Sequence, residues 1–161
     1  MTRRIVYGHL SQDWSDKELC QWAAGQIGAG GGFSPDARAM GIEIDGEMAA
    51  VTIWNCFELH NCLMSIASDN KKRWMTREFL FRSFAYPFLQ LGLDRVTTKS
   101  DERNAPSIRL ALHLGFTAEG RLRNAAGSGF DDIVFGLLKE ECRWTDLKLA
   151  AHTVKYSMAE G

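Results

Sequence analysis

The sequence has no paired cysteine motif of the kind that binds zinc or exchanges disulfides. Its four cysteines, Cys20, Cys56, Cys62 and Cys142, form no Cys-x-x-Cys pair, so neither a zinc knuckle nor a thioredoxin-like site is indicated. We expect reduced thiols that are mostly buried. The histidines and carboxylates show no spacing typical of metal ligands either, and no metal site is predicted.

Long apolar runs and a bias toward one sign of charge are also missing. No stretch is long enough to cross a bilayer, and the first ten residues contain Arg3 and Arg4 but no apolar core of a signal peptide. These features predict a cytoplasmic protein with no membrane partner. The formal net charge is -1, which argues against a nucleic-acid partner.

What is present fits one globular domain covering residues 1–161, with 45% hydrophobic and 24% charged residues. Asp45-Gly46 lies between two β-rich runs and predicts a two-residue hairpin turn. Glycines from Gly28 to Gly32 predict a loop. The tail from Thr145 to Met158 has a weak helical pattern. The remaining periodicity predicts strands at Arg4–Tyr7, Ala37–Ile44, Glu47–Phe57, Cys62–Ala67, Arg95–Lys99, Phe116–Leu122 and Asp132–Leu138, and helices at Trp14–Ile27, Thr76–Leu91 and Asn104–Leu114.

Three stretches carry a family resemblance. The segment from Asn104 to Arg123 is similar to the pattern N-x-x-S-x-x-x-x-x-x-x-G-F-x-x-E-G-x-x-R of the GNAT superfamily of N-acetyltransferases, in the branch that includes ribosomal-protein N-acetyltransferases. Tyr86 to Val96 resembles that branch's Y-x-F-x-x-L-G-L-x-R-V, and Asp132 to Trp144 resembles its last strand. The resemblance implies an α/β (α+β) fold, in which a mixed, mostly antiparallel sheet contains a central β-α-β unit that binds acyl-CoA.

The resemblance places the coenzyme A phosphates at the start of the central helix, where the family usually has glycines. Here Lys72 and Trp74 take those positions. We expect cations to compensate through charge-assisted contacts, although a solvated basic turn would have the same composition. Trp74 either covers the cofactor or packs under the helix. The residues assigned to the phosphates are Lys72, Arg73, Trp74, Met75, Thr76 and Arg77, with Lys71 as a further cation.

The resemblance also implies a slot for the pantetheine arm between two parallel strands. Backbone groups of Met64, Ser65 and Ile66 would pair with the pantetheine amides like an added strand. Asn104 and Ser107 would lie near the thioester, although Asn104 is also explained as a helix N-cap. Many GNAT enzymes place a tyrosine acid where this sequence has Ala111.

The catalytic base is not marked by any motif. Glu58 and His60, at the entrance to the central strand, are the acid–base candidates, against the simpler interpretation of a loop carboxylate and a surface histidine. Glu119 has a motif position and is expected to pair with Arg121 or Arg123.

Together these features predict an acyl-CoA-dependent N-acetyltransferase. It would use acetyl-CoA to acetylate a primary amine of a small molecule, a peptide or a protein, and homodimerisation is a further expectation. The alternatives are a GNAT-fold enzyme with another donor or acceptor, such as a nucleic-acid base, or a CoA-binding module without activity.

Overall fold

A computed structural model describes residues 1–28 and 32–146 of the chain. Seven strands form one sheet in the order β1-β2-β3-β4-β5-β7-β6. The strands are β1 (Arg3–Tyr7), β2 (Arg38–Ile44), β3 (Glu47–Asn55), β4 (Asn61–Ser68), β5 (Arg95–Asp101), β6 (Thr117–Gly127) and β7 (Phe130–Leu138), and the helices are α1 (Asp16–Ile27), α2 (Arg77–Ala85) and α3 (Ala105–Leu114). Only β4 and β5 pair in parallel, while the other pairs are antiparallel. The predicted mixed, mostly antiparallel sheet is therefore confirmed.

The hairpin between β2 and β3 turns at the predicted dipeptide. Asp45 and Gly46 both have positive φ, 52° and 83°, as a type I′ turn requires. The β6–β7 hairpin is longer than the sequence predicted, because β6 extends to Gly127 and β7 begins at Phe130, with an irregular register between Leu122 and Gly127.

Helix α1 begins at Asp16, slightly later than the predicted start at Trp14. The N-cap is Ser15, whose hydroxyl accepts from the Glu18 amide while the Glu18 carboxylate accepts from the Ser15 amide. This reciprocal capping box satisfies two backbone donors at once. Ser11 accepts from the amides of Asp13 and Trp14 in the preceding turn.

The predicted long helix through Pro87 is present, but it changes from an α-helix to a π-helix after Ala85. After α2, Tyr86–Gln90 forms a π turn, closed by the bond from the Leu91 amide to the Tyr86 carbonyl. Pro87 has no N–H to donate to the carbonyl of Ser83. The indole Nε1 of Trp54 donates to that carbonyl instead, at 3.0 Å. A side chain from β3 thus replaces the missing helical bond.

Each face of the sheet is covered by its own helices. On one side, called here the α1 face, Leu19 and Ala23 of α1 pack on Val51, Ile53 and Ala67. The opposite side is called the α2–α3 face. Its core consists of Met64, Val96, Phe135 and Leu137 from the sheet, Phe79, Leu80 and Phe84 from α2, and Ala111 and Leu114 from α3.

Helices in the described part of the chain are all too short or too polar to cross a bilayer. The predicted tail helix lies, after Asp146, outside the described residues, and so do residues 29–31 of the predicted glycine loop.

Candidate functional site

The central feature of the sheet is an opening between its two parallel strands. Asn61 pairs with Arg95, Cys62 with Val96 and Leu63 with Thr97, and the register then ends although both strands continue. We call the gap beyond these pairs the β4–β5 opening; its closed end lies at Leu63 and Thr97. In the opening, the predicted segment of Met64, Ser65 and Ile66 has no partner on β5. Buried backbone N–H and C=O groups need partners, so the opening suits an extended ligand that pairs as a strand does.

A pocket lies along the opening on the α2–α3 face. Ala111 lines it with a small side chain, so the pocket has space where the family resemblance would put a tyrosine. Ser100 and Ser107 supply hydroxyls, and their Oγ atoms are 2.7 Å apart. The full lining consists of Met64, Ile66, Thr98, Ser100, Ser107, Leu110, Ala111, Leu114 and Phe116.

Both ends of α3 are fixed by side-chain hydrogen bonds. Asn104 caps the start as predicted, and its Oδ1 accepts from the Ser107 amide at 3.2 Å. At the other end, Arg143 donates to the His113 carbonyl, and the Trp144 indole donates to the Leu114 carbonyl at 2.8 Å. Because the cap bonds directly to Ser107, Asn104 helps to hold the Ser107 hydroxyl at the pocket.

The start of α2 presents backbone donors at the end of the loop 69–76, which follows β4. Thr76 is the N-cap, and its side chain and carbonyl accept from the amides of Phe79 and Leu80. The helix gives the amides of Arg77 and Glu78 no partner of their own, as is general at helix starts. The Arg77 side chain is exposed, and it makes none of the ion pairs found among the described residues. Helix amides, the helix dipole and a free cation together suit a phosphate.

The loop before α2 is tied to the protein rather than open. Arg73 lies within 4.0 Å of Asp45 and 3.8 Å of Asp69, so it links the loop to the β2–β3 turn. Trp74 is only 3% exposed, and its ring meets Phe79 edge-on at 6.0 Å. Of its two predicted alternatives, the structure therefore favours packing under the helix. Met75 is half-buried against the core. The predicted cofactor-binding roles of this loop, including that of Lys72, remain predictions.

A chain of polar side chains crosses the α1 face beside the closed end of the opening. Thr97 Oγ1 donates to Asn61 Oδ1 at 2.8 Å, Arg95 donates to Thr97 Oγ1 at 3.1 and 3.2 Å, and Arg95 Nη2 lies 2.8 Å from Glu119 Oε2. The expected pairing of Glu119 with Arg121 or Arg123 is therefore wrong. Sequence reasoning missed this chain, although Arg95 and Glu119 both stand at family-motif positions.

Gly136 of β7 makes room for that polar chain. A Cβ atom at this position would lie about 2.4 Å from Glu119 Oε1 and 2.5 Å from Arg95 Nη2. Any larger residue would displace one of the two charged groups. Arg121, by contrast, pairs with Glu102 and Asp131 at the far end of the hairpin.

Comparisons with known proteins agree with this geometry. The chain is 32% identical over 81 residues to YokL, an uncharacterized N-acetyltransferase derived from the SPbeta prophage in Bacillus subtilis (strain 168); the match covers 48% of this chain and 46% of YokL. Among solved structures, an assigned acetyltransferase from T. thermophilus is 27% identical, with a TM-score of 0.58 over 80% of this chain and 70% of that one. A Desulfovibrio desulfuricans protein assigned to the GNAT family has the same fold, with 17% identity and a TM-score of 0.62 over 86% and 99% of the two chains.

The chain has the fold of GNAT-family acetyltransferases, and part of its sequence is similar to an N-acetyltransferase. No family model matches the chain, and it spans about half the length of the curated relative described above. The likeness therefore rests on the sheet with its parallel opening in the described part of the chain, and on sequence identity over part of the chain.

The two acid–base candidates lie away from the opening of this GNAT fold. His60 and Glu58 precede β4, before the closed end. With a rise of about 3.3 Å per residue, His60 is about 10 Å along the strand from Leu63. Its Nδ1 is 2.7 Å from Asp94 Oδ2, and both side chains are about 70% exposed. The structure does not bring Glu58 or His60 to the opening, and their catalytic roles stay predictions that this geometry does not support. The described residues also contain no cluster of three or more metal-binding side chains.

Proposed function

We propose that this GNAT-fold protein is an acetyl-CoA-dependent N-acetyltransferase that acetylates a primary amine. The observation that carries the proposal is the β4–β5 opening, and the loop 69–76 leads from the end of β4 to the N-terminus of α2. One extended ligand with an anionic head and an amide-bearing arm would satisfy both features. Coenzyme A thioesters have this chemistry.

The residues present fit such a ligand. Backbone groups of Met64, Ser65 and Ile66 would pair with the pantetheine amides, and the amides of Arg77 and Glu78 would receive the diphosphate. The Arg77 guanidinium adds a charge-assisted contact. Lys71 is exposed nearby and offers a second cation. In this arrangement the thioester end points toward the closed end of the opening.

The amine would approach from the α1 face. On the α2–α3 face, the closed end is blocked by the side chains of Cys62, Met64 and Val96, each at most 2% exposed. On the α1 face, Asn61, Leu63 and Thr97 are only half-buried. An acceptor therefore reaches the thioester across the polar chain and not through the core.

In this reaction the chain supplies a hydrogen bond to the leaving group, and water carries the protons. Bound acetyl-CoA supplies a thioester carbonyl that is open to attack by a neutral amine; the new N–C bond forms as the C–S bond breaks. Ser107, held by the Asn104 cap and bonded to Ser100, would donate a hydrogen bond to the departing thiolate, which takes its proton from water. The proton lost by the amine would pass to water on the α1 face.

Calorimetry with acetyl-CoA and mass spectrometry of acceptor mixtures test this function. We expect saturable binding of acetyl-CoA and a mass gain of one acetyl group on a subset of amines, with release of coenzyme A. Ser107→Ala should lower kcat more than KM. Failure of the wild-type protein to bind acetyl-CoA would contradict the proposal that acetyl-CoA is the donor. Binding without acetylation of small amines, peptides or proteins would indicate a module without activity.

A further inference from the structure

A second cavity lies on the α2–α3 face, between the second half of α2 and the end of the sheet where β1 stops. Its volume is about 190 Å³, and a protein cavity of about 150 Å³ is large enough to hold one benzene ring. Among the described residues it shares no wall residue with the pocket along the β4–β5 opening. We call it the β1–α2 cavity, and its wall includes Tyr7, Arg38, Trp54, Phe81, Arg82 and Tyr86.

Aromatic rings form much of this wall. The rings of Trp54 and Tyr86 have centroids 4.6 Å apart and planes inclined by 51°. Tyr7 of β1 and Phe81 of α2 add two more rings, both half-buried. Aromatic rings attract one another edge to face and in offset stacks, beyond the effect of the area they bury. A flat ring therefore fits this wall better than a saturated ring of the same size.

The wall also has hydrogen-bond donors with unused capacity. A guanidinium has five N–H donors, and Arg38 uses one nitrogen, Nη1, for Asp16 Oδ2 at 3.0 Å. Its Nε and Nη2 atoms make no hydrogen bond within the described part of the chain, and neither does the Tyr86 hydroxyl. Burial raises the pKa of Tyr86, against a smaller opposing effect of the Arg38 charge. The phenol therefore stays protonated, within electrostatic reach of the guanidinium.

The charges on the wall itself are positive. The carboxylates that pair with the two guanidinium groups, Asp16 and Glu78, are not part of the wall. Arg82 is held there by its hydrogen bond to the Tyr7 hydroxyl, at 2.7 Å. Arg38 is exposed, so an anionic group can reach its free nitrogens from solvent. The planar fork of a guanidinium matches the two oxygens of a carboxylate.

We propose that the β1–α2 cavity binds a small aromatic carboxylate, with its single ring between the aromatic side chains and its carboxylate on Arg38 and Tyr86. The volume gives the size of the ring, the wall favours a flat ring, and the donors select a negative charge. Because this cavity and the pocket along the opening share no wall residue, the ligand is distinct from acetyl-CoA and from the amine. The proposal does not depend on the acetyltransferase function.

The test compares three probes of similar size: benzoate, benzyl alcohol, which lacks the charge, and cyclohexanecarboxylate, which lacks the flat ring. Binding is followed in NMR titrations through the indole N–H signal of Trp54, a group that donates to the Ser83 carbonyl beside the cavity. We expect saturable binding of benzoate. Benzyl alcohol should bind about tenfold more weakly, because hydrogen bonds to charged groups are the stronger ones. Cyclohexanecarboxylate should bind about fivefold more weakly.

Two variants locate the carboxylate. Arg38→Met should lower the benzoate affinity about tenfold and leave that of benzyl alcohol nearly unchanged. Tyr86→Phe removes only a hydroxyl that has no partner within the described residues, so it should fold normally and lower the benzoate affinity about fivefold. Arg103→Met is the matched control, since Arg103 is also exposed and pairs with one carboxylate, Asp101, but lies outside the cavity wall. It should leave all three affinities unchanged.

Three results would overturn the proposal. One is the absence of benzoate binding up to its solubility, and another is equal binding of benzoate and benzyl alcohol. The third is an unchanged benzoate affinity in both Arg38→Met and Tyr86→Phe. Displacement of benzoate by saturating coenzyme A would assign the probe to the β4–β5 opening and would also contradict a separate site. A protein that binds acetyl-CoA but not benzoate would leave the acetyltransferase function standing without this site.

Discussion

At the scale of single residues, the two arginines predicted to bind phosphate have separate tasks. Arg73 lies between Asp45 and Asp69, whereas Arg77 is exposed and makes no ion pair among the described residues. Arg77→Ala should therefore weaken acetyl-CoA binding about tenfold, since hydrogen bonds to charged groups contribute about 1.5–3 kcal/mol. Arg73→Ala should change the affinity less and lower the thermal midpoint more. Calorimetry and thermal unfolding of both variants measure the difference; equal losses of affinity would contradict it.

The cysteines give a second prediction at this scale. Burial raises the pKa of Cys62 to about 12 and that of Cys20 to about 11, and it also raises the pKa of Cys142. Since the thiolate is the reactive form, these three thiols should react slowly at pH 8. Cys56 is exposed. A thiol reagent should modify one cysteine quickly in the native protein and four in denaturant, and Cys56→Ser should remove the fast phase. Fast modification of more than one native thiol would contradict this assignment.

At the scale of elements, the sequence predicted turns and helix caps better than it predicted contacts between side chains of different strands. The Asp45-Gly46 turn, the Asn104 cap and the Gly115 end of α3 all follow from backbone preferences of single residues, and all are confirmed. The pairing of Arg95 with Glu119 joins strands that are distant in sequence, over a glycine of a third strand. No local pattern encodes such a contact, because it depends on which strands become neighbours.

The π turn after α2 illustrates the same division. Pro87 has no N–H for the α-helical hydrogen-bond pattern, and the helix changes to a π turn around it. The form of this turn depends on Trp54 of β3, whose indole donates to the Ser83 carbonyl, to which Pro87 cannot donate. Likewise, the opening can be located only from the register of β4 on β5. The structure shows that this pairing ends at Leu63 and Thr97.

The cap of α3 gives a prediction that links stability to the site. Asn104→Ala removes the acceptor of the Ser107 amide and should lower the free energy of unfolding by about 1 kcal/mol. Because that amide belongs to the serine at the pocket, we also expect kcat to fall. Asn104→Asp retains a capping oxygen and is the control, with nearly wild-type stability in urea unfolding. An Asn104→Ala protein as stable as wild type would show that the cap contributes nothing.

At the scale of the whole molecule, the proposed function would place the donor and the acceptor at different parts of the sheet. Coenzyme A would enter through the opening and the α2 N-terminus, while the buried α2–α3 core leaves only the α1 face for the amine. Both regions belong to one sheet, so their separation follows from the order of the strands more than from any sequence motif. It also determines which ionisable groups the amine meets on its path.

The pH dependence of catalysis follows from that path. The carboxylate that the hydrogen-bonded chain brings toward the closed end is Glu119, and Arg95 already holds it at 2.8 Å. Water would then accept the proton that the amine loses. The logarithm of kcat/KM should rise with a slope of about one up to the pKa of the free acceptor, near 8 for an α-amino group and above 10 for an alkyl amine. Rates for acceptors of different basicity at constant acetyl-CoA affinity measure this. An inflection at one pH for every acceptor would instead reveal a base on the protein, and His60 with its partner Asp94 would be the first pair to substitute.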